Sequence, residues 1–472
     1  MDRKVDALIS WLKESDGFYL NEKINVSEIE NAGRGVVLVK DQLSKNERVV
    51  SIPPSHQLNF HTVIYHISKF NPSLDIPGVT YPHDEAVEIN PENEDDPRYK
   101  IYGDFSKYYL LSLNSFQLLS LYVLIEKVLL PLWSDNQVES FWKPFFDVWP
   151  TKDELFTMPC IWVEDKSGQY KNTMIAHPPH SLKLMEKRRK VYHKDTVNLV
   201  PKIMEIKDKY FNDKPFPDSV LLNEEILNIY FNINSRCLYV NIPLKKFQNN
   251  DDHFTLAPFV DFLNHTPETD LHCYPARPKD LLGNKISNFT IMSGEYQYKK
   301  INEELFLNYG PHSNEFLLNE YGFVLPENKW NSVDLTAELE EQLISSGCKP
   351  FLRKHGYWGN YIMSLETIGF TTLVAFSFLV TKDVRRVERL IEGHISEDYF
   401  KPIIARKFKD FLSYLLQKNL KNSEKIKQQR ERVTSEKEKI CLDNVIQLYL
   451  DEYKIVSSHL EDFKRIIDED DI

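Results

Sequence analysis

The sequence is short of cysteine, and its five cysteines do not cluster. Cys160, Cys237, Cys273, Cys348 and Cys441 are widely separated, with no CxxC or similar pair. That excludes a metal site read from cysteine spacing. An odd, scattered set reads as reduced core thiols of a cytosolic or nuclear protein. Basic excess is also missing. Lys and Arg number 58 against 70 Asp and Glu, a formal net charge of −12. A general nucleic-acid binder carries a basic face, so no direct nucleic-acid contact is expected. The balance fits a partner that is itself basic, such as a lysine-rich protein segment. No apolar run reaches the length of a membrane span. The longest, "IGFTTLVAFSFLV" at 368–380, predicts a buried helix. The first residues, "MDRKVDALISWLKESDG", hold no long apolar segment before a cleavage site, so no secretory signal is expected. Internal repeats are absent too.

What is present is an ordinary folded composition, 42% hydrophobic and 27% charged over 472 residues. That length suggests two or three domains, or one large core with an appendage. Val5, Leu8, Ile9 and Leu12 have helical spacing. "GRGVVLVKD" and "ERVVSIPP" predict two short strands around a polar turn, ended by Pro53 and Pro54. Residues 71–104, rich in proline and acids, predict a solvated loop. Leu118, Tyr122, Ile125 and Leu129 form one helical face that should stop at Pro131. "SFWKPFFDVWP" is an aromatic packing segment, and 180–210 a long charged helix. Residues 221–325 read again as strand-like runs and turns, including "DHFTLAPFVDF" and "ISNFTIMS". Beyond Asn331 the pattern is helical. The charged stretch 420–440 predicts an exposed helix or mobile loop. The β signals therefore fall in two blocks, about 33–60 and 230–325, separated by one helical block and followed by another. This is an α+β chain with a split sheet and a large helical insert.

Four pieces carry candidate chemistry. Gly33-Arg34-Gly35 precedes a strand. Two glycines let backbone approach a ligand, although a simple turn explains them equally, and without a third glycine and a following helix they exclude a dinucleotide fingerprint. "NINSRCLYV" sets Arg236 in an apolar segment, where it needs an anion: a ligand, or a structural salt bridge. "LAPFVDFLNHT" ends a probable buried strand in Asp261, Asn264 and His265. Unpaired, each such group costs about 1–3 kcal/mol, so they pair together or hold something that is not protein. "EELFLNYGPHSNEFLLNEYGF" places Tyr309 before Gly310 and Tyr321 before Gly322.

In this order the pieces resemble the SET domain of protein lysine methyltransferases, of the Rubisco large-subunit methyltransferase type, which includes fungal ribosomal-protein and translation-factor methyltransferases. The resemblance implies an N-terminal helical segment (1–24), a SET domain (25–325) with a helical insert at about 61–230, and an all-α C-terminal substrate-binding domain (326–472). It implies S-adenosyl-L-methionine as cofactor. Ala32 and Arg34 would offer main-chain contacts to it, Ser235 and Arg236 would line its site, Asn264 and His265 would touch it, and Asp261 would hold the network against Arg236. Tyr309 matches the active-site tyrosine. Leu238, Leu307, Tyr321 and Phe323 would wall a lysine channel, with Tyr274 as a further candidate. The family usually has Phe where Leu238 stands. No cysteine cluster follows Phe323, so no zinc is implied and the C-terminal helices would close the pocket.

The implied reaction moves a methyl group from a sulfonium to a lysine amine. Free lysine has a pKa of about 10.4. An apolar channel beside a positive sulfonium favours the neutral amine for two separate reasons, so no dedicated base is required and His265 is expected to be structural. Two alternatives stay open, a catalytically silent interaction module and a histidine methyltransferase. The expected partner is a protein bearing a target lysine, a ribosomal protein or a translation factor. The chain is expected to be a cytoplasmic, and also nuclear, monomer that contacts no membrane.

Overall fold

Apolar β-branched runs become the buried strands, because branched side chains suit a pleated, half-buried surface. In the computed structural model Val36, Val37, Val49, Val50 and Ile52 are all buried. The structure describes residues 2–470 other than 31, 72, 75, 77–95, 135–136, 166, 213, 222, 241, 243–251 and 277–285. Two compact units emerge. One comprises Met1–Leu155 with Arg189–Gly310, the other Phe156–Arg188 with Pro311–Ile472. Compactness thus groups the chain differently from a partition at 325/326.

The first unit holds the main sheet. Its strands are β1 (Tyr19–Leu20), β2 (Ile24–Ile29), β3 (Gly33–Leu38), β4 (Arg48–Ile52), β5 (Leu58–Asn59), β6 (Leu238–Tyr239), β7 (Phe254–Leu256), β8 (Asn264–His265), β9 (His272–Pro275), β10 (Phe289–Met292) and β11 (Glu304–Leu307). The order β1-β4-β10-β9-β11-β3-β2 interleaves strands from both ends of the unit, with β8 also pairing with β11. β5, β7 and β6 form a small second sheet. Between β5 and β6 lie the helices of the insert, among them Phe60–Phe70 and Ser115–Val123. Each begins on a capping box: Asn59 with Thr62, and Asn114 with Gln117. Such a reciprocal pair satisfies backbone donors that a helix start leaves orphaned.

Gly33 and Gly35 do not precede the strand but lie in β3 itself, and they serve different ends. Gly33 adopts φ +73°, which favours glycine, and open space surrounds it. At Gly35 a Cβ would lie 2.6 Å from both Ile29 Cγ1 and Glu304 Oε1, and 3.1 Å from Asn264 Nδ2. Gly35 therefore lets β2, β3 and β11 close up around Asn264. Gly35→Ala is expected to destabilise the protein by about 1–3 kcal/mol, the usual range for overpacking. Urea unfolding beside Gly33→Ala, whose penalty is conformational only, checks this.

Several expectations need correction. The stretch 256–266 is not one strand. β7 stops at Leu256, Phe259 turns the chain at φ +72°, and a short 3-10 turn spans Val260–Phe262 before β8. Residues 224–236 are helix rather than strand, since Ile226, Ile229, Tyr230 and Ile233 repeat at helical spacing on a buried face. Pro131 does not end its helix. Backbone bonding loosens to a π-type turn at Leu124–Leu129, and Pro131 then sits in the first turn of Leu130–Trp133, where its missing N–H costs nothing. The apolar helix Ser115–Trp133 is long enough to cross a membrane by length and composition, and 72% of its span is buried inside the protein. In the proline-rich region Arg98–Gly103 is helical, while 77–95 lie outside the described residues.

The second unit is mainly helical, with one short strand pair, Ser332–Asp334 against Ile362–Ser364. The apolar run at 368–380 is a buried helix, Phe370–Thr381. The charged 420–440 stretch is helical on both sides of a turn: Glu397–Arg432 runs into Glu436–Asp470. Asn419, Ser423 and Ile426 bury one face of the first helix, a mixed polar and apolar stripe.

Candidate active site

β11 organises the candidate residues. It runs parallel to β8, with Phe306 opposite Asn264 and Leu307 opposite His265, and parallel to β9, with Leu307 opposite Cys273. It runs antiparallel to β3, with Leu305 opposite Val36. Arg34, Asn264, His265 and Tyr309, distant in sequence, are thereby gathered around one strand.

Each polar group has a defined task. Asn264 Nδ2 donates to Glu304 Oε1 at 2.7 Å and to the Arg34 carbonyl at 3.2 Å. Its two donors are thus committed, and Oδ1 remains as an acceptor. His265 Nδ1 accepts the Tyr309 backbone N–H at 3.0 Å. The neutral ring therefore carries its proton on Nε2, and the Nδ1 lone pair cannot serve as a base. The His265 and Tyr309 rings pack at 5.0 Å. Tyr309 Oη donates to the Leu263 carbonyl at 2.8 Å, which aims the phenol.

Arg236 ends the helix Glu224–Arg236. Its Nε lies 3.5 Å from Asp261 Oδ2, the side chains being 21% and 3% exposed. Its guanidinium also donates to Ser235 Oγ at 2.8 Å, and that hydroxyl donates to the Phe231 carbonyl at 2.8 Å. Burial pushes the Asp261 carboxyl up to about 6, against the pull of Arg236 and Arg34. Burial likewise lowers the pKa of Arg236, which Asp261 opposes. Arg34 reaches the other way, donating to the Val148 carbonyl at 2.8 Å and to Asp2 at 2.5 Å. Ala32 has its N–H engaged by the Ile29 carbonyl.

The channel candidates divide between the units. Leu238 begins β6 and is half-buried, and Leu307 ends β11, buried. Tyr274, on β9, turns its hydroxyl to Asn46 at 2.6 Å. Tyr321 and Phe323 belong to the second unit, where their rings stand 6.2 Å apart around Gly322.

Two functional groups escaped the sequence reading. Glu304 anchors the Asn264 amide, and burial raises its pKa while Asn264 opposes this. Asn308 braces the turn before Tyr309, donating to the Thr266 carbonyl at 3.2 Å and accepting the Gly310 N–H at 2.8 Å. A carboxylate inside the apolar run "ELFL" was a visible signal, but its partner depends on register. Glu304→Ala is expected to free the Asn264 amide and weaken ligand binding about tenfold, the scale of one hydrogen bond to a charged group. Calorimetric titration with S-adenosylhomocysteine, with Glu304→Gln as the conservative control, measures this.

The unspent atoms state what would fit here. Asp261 Oδ1 and Arg34 Nε are buried without a hydrogen-bond partner. With the Asn264 Oδ1 acceptor and the Arg236 cation, they offer an acceptor and donor set suited to a zwitterion, an ammonium and a carboxylate on one carbon. The methionine end of S-adenosylmethionine has that form.

Comparison with known proteins agrees with this geometry. Rubisco LSMT structures share the fold. One, described as the SET domain of LSMT bound to lysine and AdoHcy, aligns over 98% of this chain and 92% of its own at a TM-score of 0.56 and 15% identity. Another, Rubisco LSMT bound to AdoMet, covers 99% and 93% at a TM-score of 0.55. The architecture is therefore that of a SET-domain methyltransferase, a split sheet with a helical insert and a helical C-terminal part. Residues 331–462 match the ribosomal lysine N-methyltransferase 2 C-terminal domain. Ribosomal lysine N-methyltransferase 2 of Saccharomyces cerevisiae is 42% identical over 98% of this chain and all of its own length. Ribosomal lysine N-methyltransferase set11 of Schizosaccharomyces pombe is 34% identical over 36% of this chain and 46% of its own. The chain belongs to the ribosomal lysine N-methyltransferase 2 family.

Proposed function

We propose that this protein transfers methyl groups from S-adenosyl-L-methionine to a lysine side chain of a ribosomal protein. One observation carries the reading. The Tyr309 hydroxyl is held on the Leu263 carbonyl, at the end of the strand that also positions Asn264 and His265. The cofactor supplies an electrophilic methyl carbon on a sulfonium. The protein's part is to bind, orient and exclude water.

Arg236 would receive the carboxylate of the cofactor, steadied by Ser235 and balanced by Asp261. Asn264 Oδ1 would accept a donor from it, and the main chain at Ala32 and Arg34 would close the site beside the turn at Gly33. Tyr309 would offer its oxygen lone pairs to the polarised methyl hydrogens, contacts worth about 0.5–1 kcal/mol each that act by orienting. Alignment of amine, methyl and sulfur supplies most of the rate. Leu238 and Leu307 would line the channel that strips water from the lysine amine and holds it neutral. His265, its Nδ1 occupied, serves as a brace rather than a base. The protein works as a monomer in the cytoplasm and the nucleus, in keeping with its scattered thiols.

Incubation of a lysate lacking the endogenous enzyme with labelled cofactor, followed by mass spectrometry, tests the reading. Label on lysine of a ribosomal protein is expected. Label on a translation factor would move the substrate, label on histidine would reassign the reaction, and no transfer to any protein would leave an interaction module.

A further inference from the structure

The second unit contains a cleft that the methyl-transfer site does not use. It has a volume of about 70 Å3 and opens between the starts of the helices containing His180 and Glu315, the strand at Asp334, and the two long C-terminal helices. A single water needs about 10–15 Å3 of such space. The cleft thus has room for a small polar head group and is far smaller than a cofactor pocket of about 300–1,000 Å3.

Its lining is unbalanced. His180 bridges Glu315 and Asp334, the latter at 3.3 Å, and Lys418 pairs with Glu338 at 2.6 Å. Lys183 also lines the cleft. Asp451 and Glu452 are left without a close cation. Asp451 accepts only neutral amides, from Asn314 at 2.7 Å and Gln447 at 2.9 Å. Among the described residues neither Asp451 nor Glu452 has a cation within 4.0 Å. Burial pushes Asp451 up to about 6. Burial, reinforced by Glu315 and Glu338, pushes Glu452 up to about 7, against a hydrogen bond from Asn419 and the pull of Lys418. Lys454 and Lys418 oppose these shifts only in part, being farther away than an ion pair.

A second observation, made from geometry, points to a donor. Asn419 lines the cleft and is 2% exposed. Its Nδ2 donates to the Tyr449 carbonyl at 3.0 Å, but its Oδ1 meets no donor. A buried amide oxygen left unpaired costs about 1–3 kcal/mol. What fits is a group that is positive and carries several N–H bonds. A metal ion does not fit, since among the described residues no three acids, histidines or cysteines are placed to hold one.

We infer that this cleft receives a basic side chain, a guanidinium or an ammonium, of the protein substrate, at a residue other than the one methylated. The inference rests on the reading that the substrate is a protein, and the chain's net charge of −12 favours a basic one. Docking one basic residue there would tether the substrate without touching the reacting atoms, so it should act on KM rather than kcat.

The test uses the full chain and a fluorescent hexa-arginine peptide, which has no lysine to methylate. Anisotropy should show binding to the wild type and a Kd raised at least about tenfold in Asp451→Asn/Glu452→Gln, the scale of lost charged hydrogen bonds. Glu424→Gln/Glu431→Gln, on an exposed face of the same unit, should bind as the wild type does. Glu452→Gln alone repeats the measurement if the double variant folds poorly. With salt-washed ribosomal proteins as acceptors, the cleft variants should raise KM and leave kcat and cofactor affinity unchanged. The inference is overturned if hexa-arginine does not bind, if it binds both pairs of variants equally, or if spermine fills the cleft while the peptide is excluded. Failure of the methylation reading looks different: peptide binding would persist with no methyl transfer to any protein.

Discussion

Tyr309→Phe is expected to lower kcat about 10²-fold while leaving the melting temperature and the affinity for S-adenosylhomocysteine nearly unchanged. The substitution removes one oxygen and little volume. What it removes, however, is both the anchor on the Leu263 carbonyl and the acceptor proposed to face the methyl group. Losing the anchor lets the ring swing, and a misplacement near 1 Å can cost about 10²-fold in rate. The backbone bond from Tyr309 to His265 Nδ1 does not involve the phenol and should keep the strand end in place. Single-turnover methylation with saturating cofactor isolates the chemical step. A variant that turns over at the wild-type rate would remove Tyr309 from the mechanism.

Arg236→Ala should act on binding and stability together. It deletes the cation that would hold the cofactor's carboxylate, and a hydrogen bond to a charged group is worth about 1.5–3 kcal/mol, so Kd should rise about 10- to 100-fold. It also strands Asp261. A fully buried pair broken on one side loses about 3–5 kcal/mol. With the Arg236 side chain 21% exposed, the loss here should be nearer about 2 kcal/mol. The pH dependence has a definite sign. The folded-state pKa of Asp261 is raised to about 6 by burial, so its ionisation costs stability. That cost is absent below the unfolded value near 3.8 and fully present above about 6. Without Arg236 the carboxyl titrates higher still. The stability gap between variant and wild type should therefore be widest at pH 8 and narrow toward pH 5, where a protonated Asp261 needs no partner. Denaturant melts at both pH values measure the gap, and one that widened on acidification would contradict the pairing.

The site was legible to different depths. Asp261 and Arg236 could be matched because each was a charge in an apolar run, and a buried charge demands an opposite one. Asn264, His265 and Tyr309 were legible as members of motifs, but not their partners. Nothing in "FLNH" says that the Leu263 carbonyl accepts the Tyr309 phenol, or that His265 accepts through Nδ1. The stretch "LAPFVDFLNHT" misled in one respect. Its apolar residues match a strand, yet Phe259 at φ +72° breaks it into a turn. The Ala-Pro pair after Leu256 marked the break, and the run of apolar side chains masked it. The helix ending at Arg236 was misread for a related reason: short apolar runs fit either period, and packing against the insert settled which one formed.

The amino-acid order alone determined several of the long helices, the split β pattern, the chain's acidity and the succession of motifs that marks the family. All of these rest on local spacing or on composition, and a linear string records both. Only the folded chain decided that β8 and β9 run parallel to β11, that Glu304 meets Asn264, and that Asp451 and Glu452 stand without a close cation. Those outcomes depend on register between distant segments, where a slip of one residue would turn every side chain to the opposite face.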